Sequence, residues 1–270
     1  MLDNYIVREE GEDKSNWENG FPQKPMNIFL YPFSDNAKEG ISDAAYALKD
    51  ACEDLLGPAI DYYKIRSWDT DKKKPDFPSN RIGLDGEWIG DRFIDFLEGN
   101  NGTGDNVKNL TGAHLLIHDR GGENQWGGCE HQENEYHGGG AGAEATSMTG
   151  FNEGLAAWAP YCPYNKSLGK AAAIQETLHQ FIDHDHAKTQ ECSGYIRDHS
   201  AGTLNCRATY YDYVCYCTPM LAYHWDDEDS HSEDPDCVCP RDVEKEPDGY
   251  TTDLTSCTIE SVEETAENKA

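Results

Sequence analysis

The sequence predicts an α/β fold: a twisted mixed sheet with two to three helices, followed by an irregular, cysteine-rich C-terminal part. Two observations carry that prediction. Short apolar runs and amphipathic helical segments alternate from Met26 to about Ile182, the pattern of a mostly parallel sheet with helical connections. Beyond that point the periodicity fades, and seven of the ten cysteines lie after residue 190, which points to crosslinks more than to an extended core. The expected divisions are a flexible acidic arm over residues 1–24, an α/β subdomain over 25–182, a cysteine-rich subdomain over 183–257 and an acidic tail over 258–270.

Each element has a local reason. Met1 to Lys24 is polar and aperiodic, hence the arm. Asn27 to Tyr31 is an apolar run closed by Pro32, a buried strand. Ser42 is placed to cap a helix whose apolar face holds Ala45, Leu48, Cys52 and Leu55, and Gly57-Pro58 stops it. Ile60 to Trp68 reads as the second strand. Trp88, Phe93, Ile94 and Leu97 mark another helix ended by Gly99, and Ala113 to Asp119 reads as the third strand. A glycine-rich segment from Gly121 to Gly142 follows, then strands at Ala143–Thr149 and Leu155–Pro160, then a helix from Leu168 to about Ile182.

Charge and cysteine content bound the setting. Lysine and arginine number 22 against 51 aspartates and glutamates, a formal charge of −29. That excludes nonspecific nucleic-acid binding. The carboxylates are spread along the whole chain, which resembles the acidic surface of proteins from salt-loving archaea. The even, dense cysteine count points to disulfides and an extracellular, high-salt location. No signal peptide is visible, and no apolar run of about 18 residues suggests a transmembrane segment.

The chemistry concentrates in Ala171 to His186, AAAIQETLHQFIDHDH. Gln175, Glu176 and His179 fill the positions of H-E-x-x-H, the helical zinc-protease motif, with glutamine for the first histidine. Positions i and i+4 share a helix face, so Gln175 and His179 point the same way with Glu176 beside them. In such a motif the imidazoles hold zinc and the glutamate takes a proton from the activated water.

With Asp185-His186 downstream and Met220 in Thr218-Pro-Met-Leu221, the order strand, helix, strands, motif helix, ligand-bearing turn resembles the metzincin clan of zinc metallopeptidases. The resemblance covers roughly Met26 to Cys239 and implies a metzincin-like N-terminal subdomain. It implies Glu176 as general base, with His179 and Asp185 as Zn2+ ligands and Gln175 as a weak one. It further implies Met220 as the methionine turn beneath the metal and Tyr223 as a supporting tyrosine. Ile182 stands where these proteins have a glycine. If the helix instead runs on, Gln175, His179, Asp183 and His186 line one face, so His186 or His184 is the alternative to Asp185. By the same resemblance, Gly138 to Ala145 would pair with an extended peptide, and His137 is a candidate to replace the imbidazole missing at Gln175.

Cys215, Cys217, Cys237 and Cys239 form two C-x-C pairs. They suit either a structural zinc site or disulfides, and the spacing favours disulfides. The resulting expectation is a secreted, halophilic zinc endopeptidase with a peptide or protein substrate, its oligomeric state undetermined. The alternative is an inactive protein of the same fold that binds peptides or surface partners. No G-x-S-x-G occurs, so a serine nucleophile has no support. The charge makes one prediction independent of fold. Between about 0.1 M and about 1 M salt the screening length shrinks from roughly 10 to roughly 3 Å, so the thermal midpoint should rise by several degrees. A midpoint that stays level or falls in a scanning-fluorimetry salt series would refute the halophilic reading.

Overall fold

A central strand organises the structure. The computed structural model describes residues 4–12, 24–32, 35–68, 93, 96, 97, 112–119, 157–161, 166–182, 202, 204–208, 213–221 and 248–269. Among these, β1 (Asn4–Gly11), β2 (Pro25–Pro32), β3 (Tyr62–Trp68), β4 (Ala113–Asp119) and β5 (Ala157–Tyr161) form one sheet in the order β1-β3-β2-β4-β5. The β3–β2, β2–β4 and β4–β5 pairings are parallel and β1–β3 is antiparallel. The sheet is therefore mixed, and the chain is a mixed α/β protein.

β2 lies in the middle, and its residues from Ile28 to Pro32 are all buried. Alternation along the strand sends Ile28 and Leu30 to one face and Phe29 and Tyr31 to the other. The first face packs on helix α1 (Asp35–Leu55), through Ala45, Leu48, Cys52 and Leu55, and helix α2 (Lys166–Leu178) covers the sheet beside it at β4 and β5. α1 begins at Asp35, a full turn and more before Ser42, which is an exposed residue inside the helix. Its end matches the sequence: Gly57 takes φ 99° and its N–H bonds to the Ile60 carbonyl at 2.8 Å, a left-handed stop that glycine alone adopts readily. Gly112, at φ 137°, sits so close to the backbone of Asn27 that a Cβ there would collide with it. It lets β4 start directly alongside β2.

The opposite face carries an aromatic layer. Phe29, Tyr31, Trp68 and His114 are buried there, covered by Phe93 and Phe96, two helical residues. The rest of the helix expected around Trp88 to Gly99 lies outside the described residues. Tyr31 Oη and His114 Nδ1 share a hydrogen bond of 2.9 Å, and Phe29 stacks on His114 with ring centroids 4.7 Å apart.

Two expectations about the termini are corrected. Asn4–Gly11, placed in a flexible arm, is an edge strand paired with β3. It holds by polar contacts: Tyr62 Oη donates to Glu9 at 2.7 Å, Lys64 pairs with Glu9 at 3.2 Å, and the Arg8 guanidinium sits 4.1 Å over the Tyr46 ring. The acidic tail is also structured. Helix α3 (Ser256–Lys269) buries Thr258, Ser261, Val262, Thr265 and Ala266 and packs on α1. Thr255 caps it, its hydroxyl accepting the Thr258 N–H at 3.0 Å.

Between these lie β6 (Leu204–Ala208), β7 (Tyr213–Cys217) and β8 (Gly249–Tyr250), a three-stranded sheet, and a 3-10 turn at Pro219–Leu221. Asp248 fastens β8 to β7: its carboxylate accepts the Cys215 N–H and its N–H bonds to the Cys215 carbonyl, both at 2.8 Å. No helix among the described residues is long and apolar enough to cross a membrane.

The Tyr31–His114 bond yields a prediction. Tyr31→Phe should cost about 1–3 kcal/mol at neutral pH, because His114 Nδ1 loses this partner in a buried place. Urea unfolding should show a lower midpoint with the slope unchanged; an unchanged midpoint would refute it. In alkali the comparison shifts. Burial pushes the Tyr31 pKa well above the usual tyrosine range, against a smaller opposing effect of Arg66. The folded state then keeps a proton that the unfolded state gives up, so stability is present below about pH 10 and declines above it. The variant should lack that part of the decline.

Candidate active site

α2 forms because three successive alanines, Ala171 to Ala173, favour helix and because every side it presents is covered. It contacts α1, β4, β5, β8 and the turn at Pro219–Leu221. All residues from Ala171 to Leu178 are buried, among them Gln175 at 0 %, Glu176 at 2 % and Thr177 at 1 % exposure. Thr177 Oγ1 donates to the Ala173 carbonyl at 2.8 Å, which satisfies its hydroxyl inside the helix.

The i, i+4 relation expected between Gln175 and His179 is present: the His179 N–H bonds to the Gln175 carbonyl at 3.0 Å. The two residues thus lie one turn apart on a common face, with Glu176 adjacent. His179 is half-buried. An imidazole and a carboxamide oxygen there are donors of the right type for a zinc ion, though the carboxamide is the poorer one.

Regular helix stops at Leu178. The Gln180 N–H bonds to the Thr177 carbonyl at 3.1 Å and the Phe181 N–H to the Leu178 carbonyl at 2.8 Å. These are i−3 bonds of the kind that tighten a helix end. The regular helix thus ends before the added turn on which the alignment of Gln175 and His179 with Asp183 and His186 would rest, and Asp183 and His186 lie outside the described residues. Ile182, where the resembled family has glycine, is fully buried in the core with Leu178 and Phe181. It is a packing residue.

Met220 stands in the 3-10 turn, fully buried, in the same core cluster as Ile174 and Leu178, and this turn packs on α2. The structure therefore brings Gln175, Glu176, His179 and the Met220 turn into one region. His137, His184, Asp185, His186, Tyr223, Cys237 and Cys239 lie outside the described residues. Among the described residues, no three histidine, cysteine, aspartate or glutamate side chains group to hold a metal. Cys215 is disulfide-bonded, as is Cys257, whereas Cys217 and Cys52 are free and buried. Burial pushes both thiols well above the usual cysteine pKa range, which keeps them protonated and inert.

No family model, curated protein or solved structure matches this chain. Functional assignment therefore rests on the chain's own residues. One of these escaped the sequence reading. Gln180 is 3 % exposed and its Nε2 donates to the Glu176 carbonyl at 3.2 Å. The only available signal was a polar residue set between Leu178 and Phe181-Ile182 at a helix end.

The packing of the turn on α2 gives a direct test. Met220→Ala should lower stability by about 2–5 kcal/mol, as for other buried large-to-small changes, while Met220→Leu should stay within about 1.5 kcal/mol. Denaturant midpoints of the two variants check this; an Ala variant as stable as the parent would mean the turn does not support α2.

Proposed function

We propose that the protein is a metzincin-like zinc metallopeptidase that acts on peptides outside the cell in high salt. The observation that carries this reading is the seating of the Met220 turn against the helix that bears Gln175, Glu176 and His179. Residues distant in sequence pack together there, which supports the reading. In this reading His179 and Asp185 hold Zn2+, with His186 as the alternative to Asp185 and Gln175 as a weak ligand. Bound zinc supplies Lewis-acid activation of water near neutral pH. Glu176 would take up a proton as general base and return it to the leaving amine. Tyr223 supports the site, and Cys215, Cys237 and Cys239 serve as disulfide cysteines of an exported, cysteine-rich C-terminal subdomain, whereas Cys217, expected to be crosslinked as well, is a free thiol.

A second reading has its own observation. Gln175 and Glu176 are 0 % and 2 % exposed, and a general base has to reach water and substrate. That burial, together with glutamine in place of a histidine, favours a catalytically inactive protein that binds peptides or surface partners. Zinc content and peptide cleavage in high salt separate the two, measured for the parent chain, Gln175→His and Glu176→Ala. The peptidase reading expects stoichiometric zinc and cleavage in the parent, and cleavage lost in Glu176→Ala. Zinc only in Gln175→His would favour the binding protein, and zinc in none would remove the metal altogether.

A further inference from the structure

We propose that Arg66, backed by Phe29 and two residues from Trp68, binds a carboxylate group on the sheet face opposite the one that carries α1 and α2. Alternation along β3 sends Tyr62, Lys64, Arg66 and Trp68 to that face. Trp68 stacks there on Tyr31 with ring centroids 5.8 Å apart, and the Arg66 guanidinium lies 5.1 Å over the Phe29 ring. The register gives Lys64 a carboxylate and withholds one from Arg66. Lys64 stands opposite Glu9 of β1 and pairs with it at 3.2 Å. Arg66 stands between Ile6 of β1 and Phe29 of β2. Both its cross-strand neighbours are apolar, in a chain that holds 51 carboxylates against 22 cations.

Two observations point to a ligand. Arg66 is half-buried, and among the described residues its guanidinium has neither an ion pair nor a hydrogen bond. Its five N–H donors form a planar fork that fits a carboxylate through two parallel bonds, and stacking on Phe29 holds that plane. Trp68 is 3 % exposed, and its Nε1–H is buried with no acceptor. Buried polar groups are nearly always satisfied, and an indole N–H can only donate. A carboxylate held by Arg66 brings the missing charge, and it has lone pairs to spare for the indole. The group recognised is a carboxylate, borne either by a small organic acid or by the C-terminus of a peptide. The site lies on the other face from Gln175, Glu176 and His179 and does not rest on the peptidase reading.

The test is a titration of the full chain with acetate at constant, high ionic strength, read from the Trp68 indole N–H resonance, which Trp68→Phe identifies. The resonance should move saturably in the parent. Arg66→Gln should weaken binding about tenfold, the loss of one charge-assisted hydrogen bond. Arg66→Lys keeps the charge without the fork and should weaken binding by a smaller factor. A resonance that does not move, or moves without saturating, overturns the proposal, as does equal binding by parent and variants. If Arg66→Gln fails to fold, Arg66→Lys decides alone, and binding equal to the parent's overturns the role of the guanidinium. A short N-acetylated peptide with a free C-terminus, and its amidated form, separate the two sources. Tighter binding of the free-acid peptide than of acetate assigns the site to a peptide terminus, and equal or weaker binding assigns it to a small organic acid. An amidated peptide that binds as well as the free acid would overturn recognition of a carboxylate.

Discussion

The rest of the described structure depends on the burial of α2 from every side. A helix that is covered all round has no solvated face on which to place its polar residues. Its neighbours must therefore accommodate whatever polar groups it carries. α1 and the sheet take the apolar share, through Ala172, Ala173, Ile174 and Leu178. The Met220 turn and β8 close the remaining sides. In consequence the C-terminal part is no appendage. Met220, Val262 and Ala266 belong to the same core cluster as Ile28 and Leu115, and α3, which follows β8 in the chain, packs on α1.

The acidic surface works against this packing. Asp54 shows how. Its carboxylate accepts the Leu254 N–H at 3.4 Å, at the junction of α1 with the segment leading to α3. Burial nevertheless raises its pKa, against the opposing hydrogen bond, and the nearby Asp253, Asp50 and Glu53 raise it further. One contact at the junction of α1 with the segment leading to α3 is thus made by a group that like charges disfavour. Such crowding is what dissolved salt relieves, so the charge pattern and the placement of α3 bear on one another.

Legibility in the sequence followed apolar contrast. β4 falls on the residues expected, and β2 encloses its expected run, because both are apolar enough to stand out from their flanks. The stop of α1 at Gly57 was readable because glycine there has one evident use. β1 was missed because an edge strand needs little apolar surface, and its anchoring by Glu9, Tyr62 and Lys64 leaves no periodic trace. α3 has correct helical spacing on its buried face, at Thr258, Ser261, Val262, Thr265 and Ala266. Three of those five are hydroxyl residues, however, so hydropathy concealed the pattern. Their hydroxyls are tolerable inside because the helix itself accepts some of them, as Thr265 donates to the Ser261 carbonyl at 2.9 Å. At the candidate site, the pairing of Gln175 with His179 was legible from i, i+4 spacing. The early stop at Leu178 was not, since the i−3 backbone bonds of Gln180 and Phe181 leave no mark in the hydropathy pattern.

The polar content of α2 is itself an argument about function. A covered helix is most stable when filled with apolar residues, and buried ionisable groups are more often retained for specificity or chemistry than for stability. α2 and its terminal turn bury Gln175, Glu176, Thr177 and Gln180 within six residues. Two of these have structural tasks that explain them: Thr177 bonds to Ala173 and Gln180 to Glu176. Glu176 is the one ionisable side chain of the four. A departure from local rules in an otherwise consistent core marks a functional or strained position. On the proposed peptidase reading, the carboxylate of Glu176 is that departure. The inactive reading explains Gln175 more readily than it explains why an acid was kept beside it.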